Sequence, residues 1–286
     1  MVPLIFTTLV LQTSGPQPPV IEPRTIGPAS EIKGGTVHQL QVGDLTADLF
    51  IPEGYKASKT LNLWCHFHSP AWYVVGEYQR LEPVIDPIIV FNFGQGSSVY
   101  GKPFTEVGSF QPWLEAALNH LDKKPEEIKL NFTSFSAGYG AVRNLIGDPA
   151  VLSRLKTVIL NDSSYASLDP DQPNRRVLKA HLDVWQPLVD RAIKGETTFV
   201  MCTSQITPEP YAGTWEVVMQ LVEANGGKMK EIEPNSMPAA SEKLEQRLLR
   251  TYNKGRWFVW SYDGITPEAH MTQARRLAEC LREIKK

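Results

Sequence analysis

The stretch that most constrains this chain is residues 129–146, where an apolar strand pattern runs through Ser134-x-Ser136-x-Gly138 straight into a helical pattern. A turn that sharp forces one residue into a strained backbone conformation and needs small neighbours around it. Ser134, Gly138 and Gly140 supply the room, and Ser136 is the residue at the turn. Its hydroxyl is then presented at a helix N-terminus beside the amide of Ala137, which can donate to a developing oxyanion. One turn thus offers an attacking group and half of an oxyanion hole. The same spacing also describes an N-cap serine at an ordinary junction, which needs no chemistry. The apolar runs on both sides, carried by Leu130, Phe132 and Phe135 and then by residues 137–146, favour the nucleophile.

Around this turn the chain alternates strand and helix patterns. Strands are predicted at 36–42, 46–51, 61–67, 88–93, 129–135, 157–160, 197–203 and 256–261, and helices at 109–121, 137–146, 213–224, 239–252 and 267–284. The first two strands are close enough for a hairpin. The alternation beyond them predicts an α/β fold with a mostly parallel eight-stranded sheet, helices on both faces and functional loops at the strand C-termini. Residues 163–196 exceed a minimal crossover and read either as a small cap over the site or as a plain crossover helix. Residues 226–238, with paired glycines and prolines, read as an exposed loop.

The 286 residues, 42% of them hydrophobic, suffice for one large domain over residues 31–286. A net charge of -2 with scattered Lys and Arg leaves no basic footprint for nucleic acid. Cys65, Cys202 and Cys280 are isolated and read as buried thiols, with neither a disulfide framework nor zinc-ligand spacing. Residues 3–11 are apolar and residues 12–19 rich in Gly and Pro, which resembles a secretory signal and spacer within residues 1–30. The run lacks a preceding Lys or Arg and an Ala-x-Ala site, and it is too short to span a bilayer as a helix. The expected location is secreted or periplasmic, the alternative a cytoplasmic enzyme with a surface arm; oligomeric state is left open.

A serine hydroxyl needs a base to remove its proton and an acid to orient that base. Of six histidines, His270 lies in Asp263-Gly-Ile-Thr-Pro-Glu-Ala-His270, between the last strand and the last helix, where an imidazole can reach the strand ends. An early serine elbow followed by a late histidine, on this strand pattern, resembles the α/β-hydrolase superfamily over residues 36–286. Ser134 stands where that family usually has glycine. Asp162-Ser-Ser-Tyr-Ala-Ser and Ser204-Gln-Ile-Thr-Pro-Glu-Pro-Tyr-Ala look similar to a poorly characterised bacterial hydrolase branch.

The resemblance places the third member after the sixth or, more often, the seventh strand. Asp162 ends the strand after the nucleophile helix and is preferred; Glu209 and Glu216, beyond the seventh strand, are the alternatives. A turn-forming aspartate is the plain reading of Asp162. The resemblance also assigns a second oxyanion donor to Trp64-Cys-His66-Phe-His68-Ser69-Pro-Ala71-Trp72, through the amide of Ser69, Ala71 or Trp72, since Pro70 has none. His66 and His68 are expected to point the same way and to pack beside that loop rather than bind a metal. His68, Trp72, Tyr139 and Tyr165 complete the expected substrate pocket.

The function expected is a cofactor-free serine hydrolase that cleaves small carboxylic esters through an acyl-enzyme on Ser136, with His270 as base and Asp162 as its orienting acid. Amide, thioester and lactone hydrolysis and acyl transfer use the same constellation, and a cofactor-free lyase or peroxidase-like enzyme would keep it too. A rival from another class is a non-catalytic binding protein of the same fold, in which Ser136 is only a turn residue.

Overall fold

A computed structural model describes residues 16–18, 32–81, 83–233 and 247–284. Among them ten strands form one sheet: β1 Gly35–Val42, β2 Leu45–Pro52, β3 Thr60–Phe67, β4 Ile88–Phe91, β5 Glu127–Phe135, β6 Leu155–Asn161, β7 Thr198–Thr203, β8 Lys230–Glu231, β9 Leu248–Lys254 and β10 Trp257–Tyr262. Their order is β1-β2-β4-β3-β5-β6-β7-β10-β9-β8. From β4 to β10 neighbours run parallel, whereas β1, β2, β9 and β8 add antiparallel pairs at the two edges.

The helices are α1 Ala71–Gln79, α2 Ser97–Gly101, α3 Gln111–Leu118, α4 Tyr139–Leu145, α5 Pro149–Arg154, α6 Lys179–Asp183, α7 Gln186–Ile193, α8 Thr214–Ala224, α9 Pro267–Arg275 and α10 Leu277–Ile284. Successive strand residues face opposite sides of a sheet. Phe91, Leu160, Met201 and Val259 accordingly join one apolar cluster with α3, α4, α7 and α8. Val90, Ile159, Val200 and Trp260 join another with α1 and α10. Burial on both faces is why these strands read as continuous apolar runs rather than as alternating ones.

The mostly parallel sheet with helices on both faces is the predicted class, with two strands more than the predicted eight. Residues 248–252, expected at the end of a helix, form β9 instead. The reason is the turn after it: Lys254 pairs with Trp257 across Gly255-Arg256, and Gly255 takes φ +60°, as the first position of a tight hairpin turn requires. The rest of that predicted helix, residues 239–246, lies outside the described residues, as do the apolar run 3–11 and most of residues 12–19. Lys230 and Glu231, expected within a loop, pair with β9 as β8. The C-terminal pattern is two helices separated at Arg276, which is buried with its guanidinium 3.3 Å from the centroid of the Tyr262 ring. No helix among the described residues is long and apolar enough to cross a membrane.

Candidate active site

Parallel pairing brings the C-terminal ends of β3, β5, β6, β7 and β10 to one edge. Phe135 at the end of β5 lies opposite Asn161 at the end of β6, and Asn161 lies opposite Cys202 of β7. The next residues, Ser136 and Asp162, therefore emerge side by side, with Ser204 close behind. Both take left-handed backbone conformations, φ 49° for Ser136 and 47° for Asp162, which cost an L-residue of this kind about 1–3 kcal/mol each.

The elbow at Ser136 is held from three directions. A Cβ on Gly138 would stand 2.2 Å from the carbonyl oxygen of Phe67, and one on Gly140 would stand 2.1 Å from that of Ser97. Only glycines let α4 approach β3 and α2 so closely. Behind the turn, Ser134 Oγ donates to Ser163 Oγ at 2.8 Å, and Ser163 Oγ donates to the Ser136 carbonyl at 2.8 Å. The serine at the position where the resemblance leads one to expect glycine thus anchors a hydroxyl relay. Ser163→Ala breaks both bonds among buried groups and is expected to lower stability in urea unfolding by about 1–3 kcal/mol.

His270 sits in the first turns of α9, which Thr266 caps by accepting the amide of Ala269 at 3.2 Å. Its ring stacks on Phe135 with centroids 4.5 Å apart, beside the elbow. Its Nδ1 is 2.7 Å from Asp162 Oδ2 and 3.4 Å from the Tyr165 hydroxyl. Asp162 is fully buried and also accepts from the Ser204 amide at 3.0 Å, from Ser204 Oγ at 2.6 Å and from Thr214 Oγ1. Several donors on one carboxylate compensate its loss of water. With Nδ1–H given to Asp162, the other ring nitrogen, Nε2, is left with a lone pair. Burial, and then the neighbouring Asp162, push the Tyr165 hydroxyl well above the usual phenol range, so it stays protonated.

Glu216 and Glu209 do not meet His270. Glu216 is engaged with Arg175, at 2.6 and 2.9 Å, and accepts the Gly213 amide at 2.7 Å, capping α8. Glu209 is exposed, and its carbonyl accepts from Arg175. Arg175 also reaches the carbonyls of Pro208 and Tyr211 at 2.8 Å, so it fastens the loop after β7.

A cavity of about 780 Å³ opens above this edge. Ser136, Ala137 and His270 form its floor, Tyr139, Tyr165 and Tyr211 one continuous wall, and Ile206, Pro208 and Ile265 an apolar rim. The tyrosine rings succeed one another at centroid distances of 6.0 and 5.7 Å. Ala166, Ser167 and His181, from the 163–196 segment, close another side. Tyr139 and Tyr165, expected in the pocket, both lie on this wall. Trp72, His68, Ser69 and Ala71 lie outside it, and Gly96 and Ser97, after β4, line the cavity instead. Ala71 and Trp72 open α1, which packs into the apolar cluster on the sheet face opposite α4, and Trp72 meets Tyr73 edge to face at 5.8 Å, while His68 stacks on the far side of Phe135 with centroids 6.1 Å apart.

The two histidines of β3 and its end also diverge. His66 is buried with Nδ1 2.8 Å from Thr133 Oγ1, which in turn meets the Tyr78 hydroxyl at 2.9 Å. His68, turned by φ 74°, presents Nδ1 to the Tyr100 hydroxyl at 2.8 Å and the Gly94 carbonyl at 3.1 Å. Burial pulls His66 from the ordinary 6.5 down to about 3. Between those values the unfolded chain binds a proton that the folded chain refuses. His66 therefore contributes no penalty above pH 6.5 and weakens the fold as pH falls, by up to about 1.4 kcal/mol per pH unit. Urea midpoints measured from pH 7 down to pH 4 should fall more steeply for the wild type than for His66→Gln. Among the described residues, no three His, Cys, Asp or Glu side chains gather to hold a metal.

The order Ser136, Asp162, His270 along the chain, at the C-terminal edge of a mostly parallel sheet with a strained serine between strand and helix, decides the architecture. The fold is that of the α/β-hydrolases. No family model matches the chain, and no curated protein sequence does. Among solved structures, the chain is similar to the feruloyl esterase module of Clostridium thermocellum, with 10% identity, 86% of this chain and 87% of that chain covered, and a TM-score of 0.44. It is similar to a carboxylesterase of Bacillus subtilis, with 7% identity, 88% and 91% covered, and a TM-score of 0.46. A protein from Capnocytophaga ochracea of uncharacterised function gives 10% identity, 86% and 62% covered, and a TM-score of 0.49.

Two features of this α/β-hydrolase fold went unforeseen. Ser163, Ser204 and Thr214 brace the elbow and Asp162; Ser163 and Ser204 lie in the phrases that carry the resemblance, but nothing in the sequence gives any of the three this role. Arg143 reaches the cavity from α4 with no role suggested by the sequence, whereas His181 comes from the segment read as a possible cap and Tyr211 from a phrase that carries the resemblance.

Proposed function

We propose that the chain is a serine hydrolase acting on carboxylic esters. The observation that carries this reading is the convergence of a strained Ser136 and a carboxylate-bound His270 on the floor of one cavity, with the carboxylate fully buried. His270 Nε2 takes the proton of Ser136 Oγ as that oxygen attacks the ester carbonyl. The Ala137 amide, at the start of a helical turn where it lacks an intrahelical acceptor, donates to the oxyanion. Collapse of the tetrahedral adduct expels the alcohol, which receives the proton from His270, and leaves an acyl-Ser136. Water, deprotonated by the same Nε2, attacks the acyl carbon and releases the acid and the free serine. Asp162 holds the imidazole in the tautomer that makes both transfers possible and stabilises the imidazolium between them.

Esters are favoured over amides because their alcohol leaves more readily than an amine. The test is hydrolysis of p-nitrophenyl acetate and butyrate by wild type and His270→Ala. The expected result is turnover by the wild type and a fall in kcat of about 10⁴-fold or more in the variant. Equal rates in the two proteins would overturn the reading.

A further inference from the structure

The cavity is asymmetric in charge. Among the described residues no Asp or Glu lines it, yet Arg143 and His181 do, in a chain whose net charge is -2. Arg80, Arg175, Arg176, Arg191 and Arg250 each reach a carboxylate. Arg143, among the described residues, has no such partner; its guanidinium stands 5.5 Å from the centroid of the Tyr139 ring. A partly buried guanidinium with no counter-ion, held over an aromatic face, is poised to take an anion.

His181 is arranged to assist. Its Nδ1 accepts the Ser167 amide at 3.0 Å, so the ring proton is on Nε2. Burial, and then the charge of Arg143, lower its affinity for a second proton, which leaves a neutral imidazole as a hydrogen-bond donor.

Arg143 comes seven residues after Ser136, its Cα about 10 Å further along the helical segment, and its side chain leans back over the Tyr139 ring, one turn nearer Ser136. The tyrosine wall of Tyr139 and Tyr165 runs beside the space between them. Resting on the serine-hydrolase reading above, we propose that the preferred substrates are esters that carry a carboxylate or similar anion on the Tyr139 side of the scissile carbonyl, within reach of the Arg143 guanidinium. Arg143 is the residue that selects them, with His181 as the second donor. The anion belongs to the acyl part or to the alcohol part of the ester, and the test has an arm for each.

The acyl arm compares the mono-4-nitrophenyl ester of suberic acid with its methyl-capped, uncharged counterpart. The alcohol arm compares 3-(4-acetoxyphenyl)propanoate with its methyl ester. The quantity read is the ratio of kcat/KM for the charged over the uncharged ester, measured on the same protein, so loss of folded enzyme cancels. In the wild type at low salt, one arm should show a ratio of about tenfold or more. The ratio should shrink as sodium chloride is raised, fall toward one in Arg143→Gln, and largely survive in Arg143→Lys. A ratio near one in both arms of the wild type, or a ratio unaltered by Arg143→Gln, overturns the proposal while leaving ester hydrolysis intact. No hydrolysis of any of the four esters, together with no fluorophosphonate adduct on the folded wild type, overturns the serine-hydrolase reading itself and the proposal with it.

Discussion

Ser136→Ala is expected to lower kcat for p-nitrophenyl butyrate by about 10⁴- to 10⁶-fold, the range in which loss of the attacking oxygen leaves only residual oxyanion and binding effects. Thermal unfolding should separate this loss from any damage to the fold. Alanine at φ 49° bears the same backbone strain as serine, so the melting temperature should stay close to that of the wild type. Ser136→Gly relieves the strain and should be about 1–2 kcal/mol more stable while equally inactive. A protein that becomes more stable as it loses activity holds its serine in that conformation for chemistry. Retention of wild-type rates by either variant would show that another group attacks.

Asp162→Asn should cost about 10⁴-fold in kcat, through the tautomer of His270. The carboxylate accepts from the Ser204 amide and Thr214 on one oxygen and from Ser204 Oγ and His270 Nδ1 on the other. An asparagine must turn its NH₂ toward one pair of donors. Turned to Ser204 N–H, it loses a buried hydrogen bond, which costs about 1–3 kcal/mol of stability. Turned to His270, it favours the imidazole with its proton on Nε2, which can no longer serve as the base. The pH–rate profile, urea unfolding and kcat together distinguish these outcomes. Glu209→Gln should leave kcat unchanged, since that side chain is exposed on the surface. Wild-type kcat in Asp162→Asn would remove Asp162 from the mechanism.

What could be read from sequence was what depends on neighbours in the chain. The elbow is such a feature, because strand, small residues and helix lie within eighteen positions. His270 was legible from its place after the last strand, and Asp162 from ending a strand that runs beside the elbow's own. Features fixed by distant pairing were misjudged or missed. Residues 248–252 contain good helix formers such as Leu and Arg, and pairing with β10 on one side and β8 on the other makes them a strand. The two-residue Gly255-Arg256 spacing was the available sign of a hairpin. The loop before Trp72 points to the pocket in sequence, while the direction it takes depends on the packing of α1 on the far face of the sheet. Arg143 lies on a helix whose register was legible, while the emptiness of the space before it depends on α6 and the loop after β7, both remote in sequence.

The most direct test of the central claim is the intact mass of the folded protein after treatment with a fluorophosphonate, combined with peptide mapping. One adduct on the wild type, mapped to Ser136, absent from Ser136→Ala and formed far more slowly in His270→Ala and Asp162→Asn, is the predicted result. A folded wild type that takes no adduct, or an adduct that persists in Ser136→Ala, would contradict it.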